Sequence, residues 1–164
     1  MDEKTTHGPL STESALVDLL KQVDSAVAHG ATVALGGKRI DRAGSYMQAT
    51  ILTDVKPDNP AFRDEFFGPV AMFFRVNDED AAIRLANDSD FGLGGSVFTK
   101  DVARGKRVAT QVETGMMFIN NIDWSDAELP FGGIKDSGLG YKEGVQEAIR
   151  SFTNTKTYSL PWLP

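Results

Sequence analysis

The strongest constraint on this chain is the alternation of two hydrophobic periods along it. The stretch "STESALVDLLKQVDSAVAHG", residues 11–30, sets Leu16, Leu19, Leu20, Val23 and Val27 at helical spacing. Ser11 or Thr12 suits its start and Gly30 its end. Three apolar runs follow, "ATVALGG", "MQATILTDV" and "PVAMFFRV", each the length of a strand. The third is nearly continuous, the pattern of a strand buried on both faces. Helical and strand periods then alternate. "NDEDAAIRLAND" is a helix with acids in its first turn, where the helix dipole favours them. "GGSVFT" is a strand, and "DVARGKRVATQVE" a helix weakened by Gly105. "GMMFIN" is the most apolar strand, "KEGVQEAIRSF" a short helix, and "TNTKTYSLPWLP" a closing strand or tail. Strands interleaved with helices predict an α/β class, a mostly parallel sheet flanked by helices.

Composition narrows what such a fold can do. With 164 residues, 41% hydrophobic and 24% charged, the chain fits one domain or a large piece of one. A net charge of −6 argues against a nucleic-acid partner, which wants a basic face. No apolar run approaches the ~18 residues of a membrane span, and no leader pattern opens the chain, so a cytoplasmic setting is expected. There is no cysteine, hence no disulfide, thiolate metal site or cysteine nucleophile within the chain. His7 and His29 stand alone and no His/Asp/Glu cluster has ligand spacing, so no metal is expected.

In sheets of this kind ligands bind in loops at the carboxyl ends of strands. Three loops qualify: "RDEFFGP", "NDSDFGL" and "NNIDWSDAELPFGGIKDSG". The last runs into "SGLGYKEG" and gathers Gly132, Gly133, Gly138, Gly140 and Gly144. Glycine there permits backbone conformations and close approaches that a Cβ would block. "GLGYKEG" lacks dinucleotide-fingerprint spacing, and Ser137 lacks the flanks of a nucleophile elbow.

Taken together, in this order and spacing, "DEFFGPV", "ANDSDFGLGGSVFTKD", "TGMMFINN" and "PFGGIKDSGLG" resemble the C-terminal part of the NAD(P)-dependent aldehyde dehydrogenase superfamily. The opening "HGPLSTES…VDSAVAHGATVALGG" resembles the family's stretch just after its catalytic cysteine. "HGPL", "SDFGL" and "SDA" before "PFGG" are most similar to succinate-semialdehyde dehydrogenases. The resemblance implies that residues 1–151 are the C-terminal part of a catalytic domain and 152–164 an oligomerisation strand, in a homo-oligomer.

The resemblance also implies site roles. Glu65 matches the glutamate that holds the nicotinamide ribose of NAD or NADP, and a carboxylate can accept bonds from two vicinal hydroxyls. Phe67 is placed to lie against the nicotinamide ring, with core packing as its bland alternative. Phe131 matches the aromatic bordering the path of the small-molecule aldehyde. Trp124 and Ser125, in the substrate-anchoring loop, are the other candidate substrate contacts. That loop is acidic, with Asp123, Asp126 and Glu128, a poor receptor for a carboxylate unless a cation comes from elsewhere.

No catalytic residue is expected within the chain. The family chemistry needs a cysteine thiolate, a glutamate base, an oxyanion site and a dinucleotide-binding domain, all expected upstream. One departure is local: Tyr141-Lys142 stand where the family commonly has Arg-Glu after its "SGxG". An interaction module of the same fold, without activity of its own, is the alternative reading.

Overall fold

The computed structural model describes residues 5–122, 126, 128–139, 144, 149–150, 152–154 and 156–159. The chain forms two compact units, Met1–Val76 and Asn77–Pro164.

In the first unit, helix α1 (Glu13–Ala28) starts where Thr12 accepts a hydrogen bond from the Ala15 N–H at 3.1 Å. Its buried positions are Leu16, Leu19, Val23 and Ala26, one stripe at helical spacing. Strands β1 (Thr32–Leu35), β2 (Thr50–Thr53) and β3 (Val70–Met72) form one sheet in that order. β1 runs antiparallel to β2, and β2 parallel to β3. Leu52 of β2 is fully buried against Val23, Ala26, Ala31, Val55 and Ala61. A neighbouring cluster joins Leu16, Leu19 and Met47.

The expectation for β3 needs correction. The strand is short, and its neighbourhood alternates: Val70, Met72 and Phe74 pack on the core, whereas Ala71 is exposed and Phe73 is 56% exposed. Packing in this unit covers one face of the sheet, so the run is half-buried instead of enclosed on both faces.

In the second unit, α2 (Glu79–Asn87) is capped by Asp78, which accepts from the Ala81 N–H at 2.7 Å. β4 (Phe91–Gly92) and β5 (Gly94–Val97) precede α3 (Val102–Ala109), capped by Asp101 through the Arg104 N–H at 2.9 Å. β6 (Met116–Ile119) pairs parallel with β5 in register from Gly94–Met116 to Val97–Ile119. β7 (Ile134–Lys135) returns antiparallel to β4. The α/β class is as expected, with parallel pairs β2–β3 and β5–β6 and antiparallel pairs β1–β2 and β4–β7, in three separate sheets.

Gly105 has a use that its helix propensity hides. It is buried in α3, and a Cβ there would lie 3.0 Å from both Ile119 Cγ2 and Thr99 Cγ2. The missing side chain lets α3 sit close over the ends of β5 and β6.

Of the expected last helix, Ile149, Arg150 and Phe152 are helical, and most of the rest lies outside the described residues. The described tail residues 153–154 and 156–159 belong to no strand within this chain. Among the described residues no helix is long and apolar enough to cross a membrane.

Candidate functional site

The Glu65 turn is built from α1 outward. Asn59, 2% exposed, caps a 3-10 turn (Pro60–Phe62) by accepting from the Ala61 N–H at 3.0 Å. Its Nδ2 donates to the Ala26 carbonyl at 2.8 Å, fastening the turn to the end of α1. Gln22 Nε2 donates to the Glu65 carbonyl at 3.2 Å. Phe66 packs into both core clusters. With Phe66 turned inward, the flanking Glu65 and Phe67 face out.

Both side chains are open. Glu65 is exposed, and its carboxylate has no partner among the described residues. Phe67 is 85% exposed and lines a hollow of about 630 Å³ between residues 7–11, α1 and the Phe67–Pro69 turn. The bland alternative for Phe67, a core role, does not hold: Phe66 takes the core position. A free carboxylate two residues from an open aromatic face suits a ligand with paired hydroxyls and a flat ring.

In the second unit, Phe131 is half-buried and walls a hollow of about 330 Å³ with Met116, Met117 and Phe118 of β6, Leu129 and Pro130. Asp126 is the charged side chain among the described lining residues. Its Oδ1 accepts from the Glu128 N–H at 2.8 Å and its carbonyl from the Leu129 N–H at 3.0 Å, closing the turn that delivers Phe131. Trp124 and Ser125 lie outside the described residues. Glu65 and Phe67 thus share one turn of the first unit, and Phe131 belongs to the second.

The glycines after Phe131 have a steric reason. A Cβ on Gly133 would meet Ser137 Cβ and the Ser137 carbonyl oxygen, each at 2.7 Å. The 133–138 turn folds onto itself at that point, and no side chain fits between its limbs.

Three polar residues that the sequence reading passed over hold this unit together. Lys135 Nζ donates to the carbonyls of Asn87 at 2.9 Å and Ser89 at 3.0 Å, and lies 3.0 Å from the Glu113 carboxylate. Asn87 donates to the Gln111 carbonyl and accepts from the Glu113 N–H, each at 2.8 Å. Asn120, at a φ of 56°, clamps Thr99 by accepting from its N–H at 2.8 Å and donating to its carbonyl at 2.9 Å. A lone lysine amid "FGGIKDSG" and asparagines at element ends were the available signals. Among the described residues no group of three or more His, Asp or Glu is arranged to hold a metal ion.

Comparison with known proteins agrees across the chain. Residues 1–158 match the model of the aldehyde dehydrogenase family. A succinate-semialdehyde dehydrogenase [NADP(+)] of Deinococcus radiodurans is 50% identical over 155 residues, which is 94% of this chain and 32% of that protein. The crystal structure of succinic semialdehyde dehydrogenase from Streptococcus pyogenes with NADP+ is similar at a TM-score of 0.93 and 43% identity, covering 98% of this chain and 35% of that one. Betaine aldehyde dehydrogenase from Staphylococcus aureus with NAD+ gives a TM-score of 0.86 at 34% identity, covering 100% of this chain and 35% of that one. The chain therefore spans about a third of the length of the relatives it matches.

Proposed function

Since this chain belongs to the aldehyde dehydrogenase family, we propose that it is the nicotinamide-ribose and substrate-path portion of an NAD(P)-dependent aldehyde dehydrogenase, oxidising succinate semialdehyde to the acid. The observation that carries the reading is the pair Glu65 and Phe67, a carboxylate with no partner among the described residues and an open aromatic face on one rigid turn. The two succinate-semialdehyde relatives, both linked to NADP+, support the substrate and favour NADP over NAD.

In this reading Glu65 would hold the ribose of the cofactor through its two hydroxyls, and Phe67 would face the nicotinamide ring. When bound, the nicotinamide cofactor takes up the hydride. The chain's own residues orient and exclude water: the Asn59 and Gln22 bonds hold the Glu65 turn still, and Phe131 with β6 makes an apolar wall. Trp124 and Ser125 complete the substrate contacts. Asp126 on that wall repels a carboxylate tail, so a semialdehyde substrate calls for a cation from outside these residues.

The covalent step of the family route needs a thiolate, and this chain holds no cysteine. Alone, the chain is therefore inactive. The complete enzyme is a cytoplasmic homo-oligomer in which residues 152–164 add a strand to a neighbouring subunit.

The test is Glu65→Gln in the complete enzyme, with single-turnover hydride transfer read from the absorbance of the reduced cofactor. Loss of one charge-assisted hold costs about 1–3 kcal/mol, a roughly five- to 150-fold slowing. Adenine-end binding should change little. An unaltered single-turnover rate refutes the assignment.

A further inference from the structure

We propose that Lys135 is a positioning residue for the aldehyde path, setting the place of Phe131 by clipping the glycine-rich turn onto the end of α2; this rests on the reading that Phe131 borders that path. The clip has three partners, the carbonyls of Asn87 and Ser89 and the carboxylate of Glu113. Two of them are backbone carbonyls, one on the last residue of α2 and one just past it, where carbonyls lack intrahelical donors and attract a cation. Two further bonds and the β4–β7 ladder set the same segment: Asp136 N–H to the Asp90 carbonyl at 2.9 Å and Gly92 N–H to Ser137 Oγ at 3.0 Å.

Lys135 does this from a φ of 53°, a left-handed backbone that a lysine rarely adopts. Strain of that kind persists only where the surroundings over-determine it, and it gathers at functional sites. The strained residue stands four positions after Phe131, and the intervening Gly133 is wedged against Ser137. The chain between clip and aromatic is thus short and closely packed. A shift at Lys135 passes to the ring that walls the hollow with Met116, Met117 and Phe118.

The experiment compares Lys135→Met and Ser137→Ala with the wild type in the complete enzyme, measuring KM for the aldehyde, kcat, cofactor binding and the thermal midpoint. A displaced wall weakens ground-state and transition-state contacts alike, so Lys135→Met raises KM about tenfold while kcat stays within about threefold and cofactor binding is kept. A merely structural lysine gives the reverse: fewer active molecules, hence lower kcat at an unchanged KM, and that result overturns the proposal. If Lys135→Met does not fold, Ser137→Ala decides, since it removes only the bond from Gly92. It should raise KM about threefold, and an unchanged KM refutes the coupling of this segment to Phe131, and the proposal with it. A wild-type enzyme that turns over no aldehyde overturns the proposed function and this role with it. An active wild type with an indifferent Lys135→Met overturns this role alone.

Discussion

Replacing Gly133 by alanine isolates the steric reason for the glycine-rich turn. The added carbon would lie 2.7 Å from Ser137 Cβ, 2.7 Å from the Ser137 carbonyl oxygen and 2.9 Å from its carbonyl carbon. Carbon contacts relax at about 3.5–4.0 Å, so the shortfall is near 1 Å at several atoms. Two of those atoms are backbone and cannot rotate away. Nor is Ser137 free to retreat: its N–H donates to the Ile134 carbonyl at 3.2 Å and its hydroxyl accepts from Gly92 at 3.0 Å. Opening the turn sacrifices at least one of these bonds. Overpacking costs about 1–3 kcal/mol, and a lost hydrogen bond about 1 kcal/mol more. The expected loss is about 2–4 kcal/mol. With a urea slope of about 2 kcal/mol/M, the unfolding midpoint should fall by about 1–2 M. Gly8→Ala is the control, because a Cβ there meets nothing within 4 Å. It should stay within about 0.5 kcal/mol of wild type. A urea titration followed by far-ultraviolet circular dichroism measures both. If Gly133→Ala matches Gly8→Ala, the packing argument is wrong.

Asn59→Ala removes the bond that fastens the Glu65 turn to α1 and the bond that caps that turn, and in this buried site should lower stability by about 2–3 kcal/mol in the same titration. An effect below about 0.5 kcal/mol would show that the turn holds without it. The Glu13 carboxyl is held below its ordinary 4.5, chiefly by the hydrogen bond from Arg39, with further help from the Arg39 charge and Ser45 against the cost of desolvation. A folded-state value below the unfolded one stabilises above 4.5 and is lost as pH falls through the folded value. Wild type should therefore outlast Glu13→Gln near neutrality and lose that advantage in acid. A difference independent of pH would contradict the pairing. The chain by itself should sediment at micromolar concentration as a dimer or larger, because Phe67, Phe73, Phe98 and Leu139 are between 56% and 92% exposed. A stable monomer would count against this and favour the interaction-module reading.

What the sequence determined by itself was local. Thr12 and Asp78 cap their helices through bonds to the third residue onward, so residue type and spacing suffice to place those helix starts. The stripe on α1 is legible for the same reason, since a helix brings residues three and four apart onto one face. The motifs that matched the family also marked Glu65, Phe67 and Phe131 before any geometry was known. Only the tertiary structure decided which groups meet across long separations. Asn59 reaches back to Ala26, and Lys135 to Asn87 and Ser89; each pair is too far apart in sequence for any local period to signal it. It decided that Phe66, not Phe67, enters the core, although the two are chemically identical neighbours, because only one side of an extended turn can face α1. It decided that Gly105 is a contact where sequence reads a weakness, because its value lies in Ile119 and Thr99 pressing on the space where a Cβ would be. And it showed that this unit covers one face of β3, because an apolar run records what a strand tolerates, while coverage depends on what else packs against the sheet.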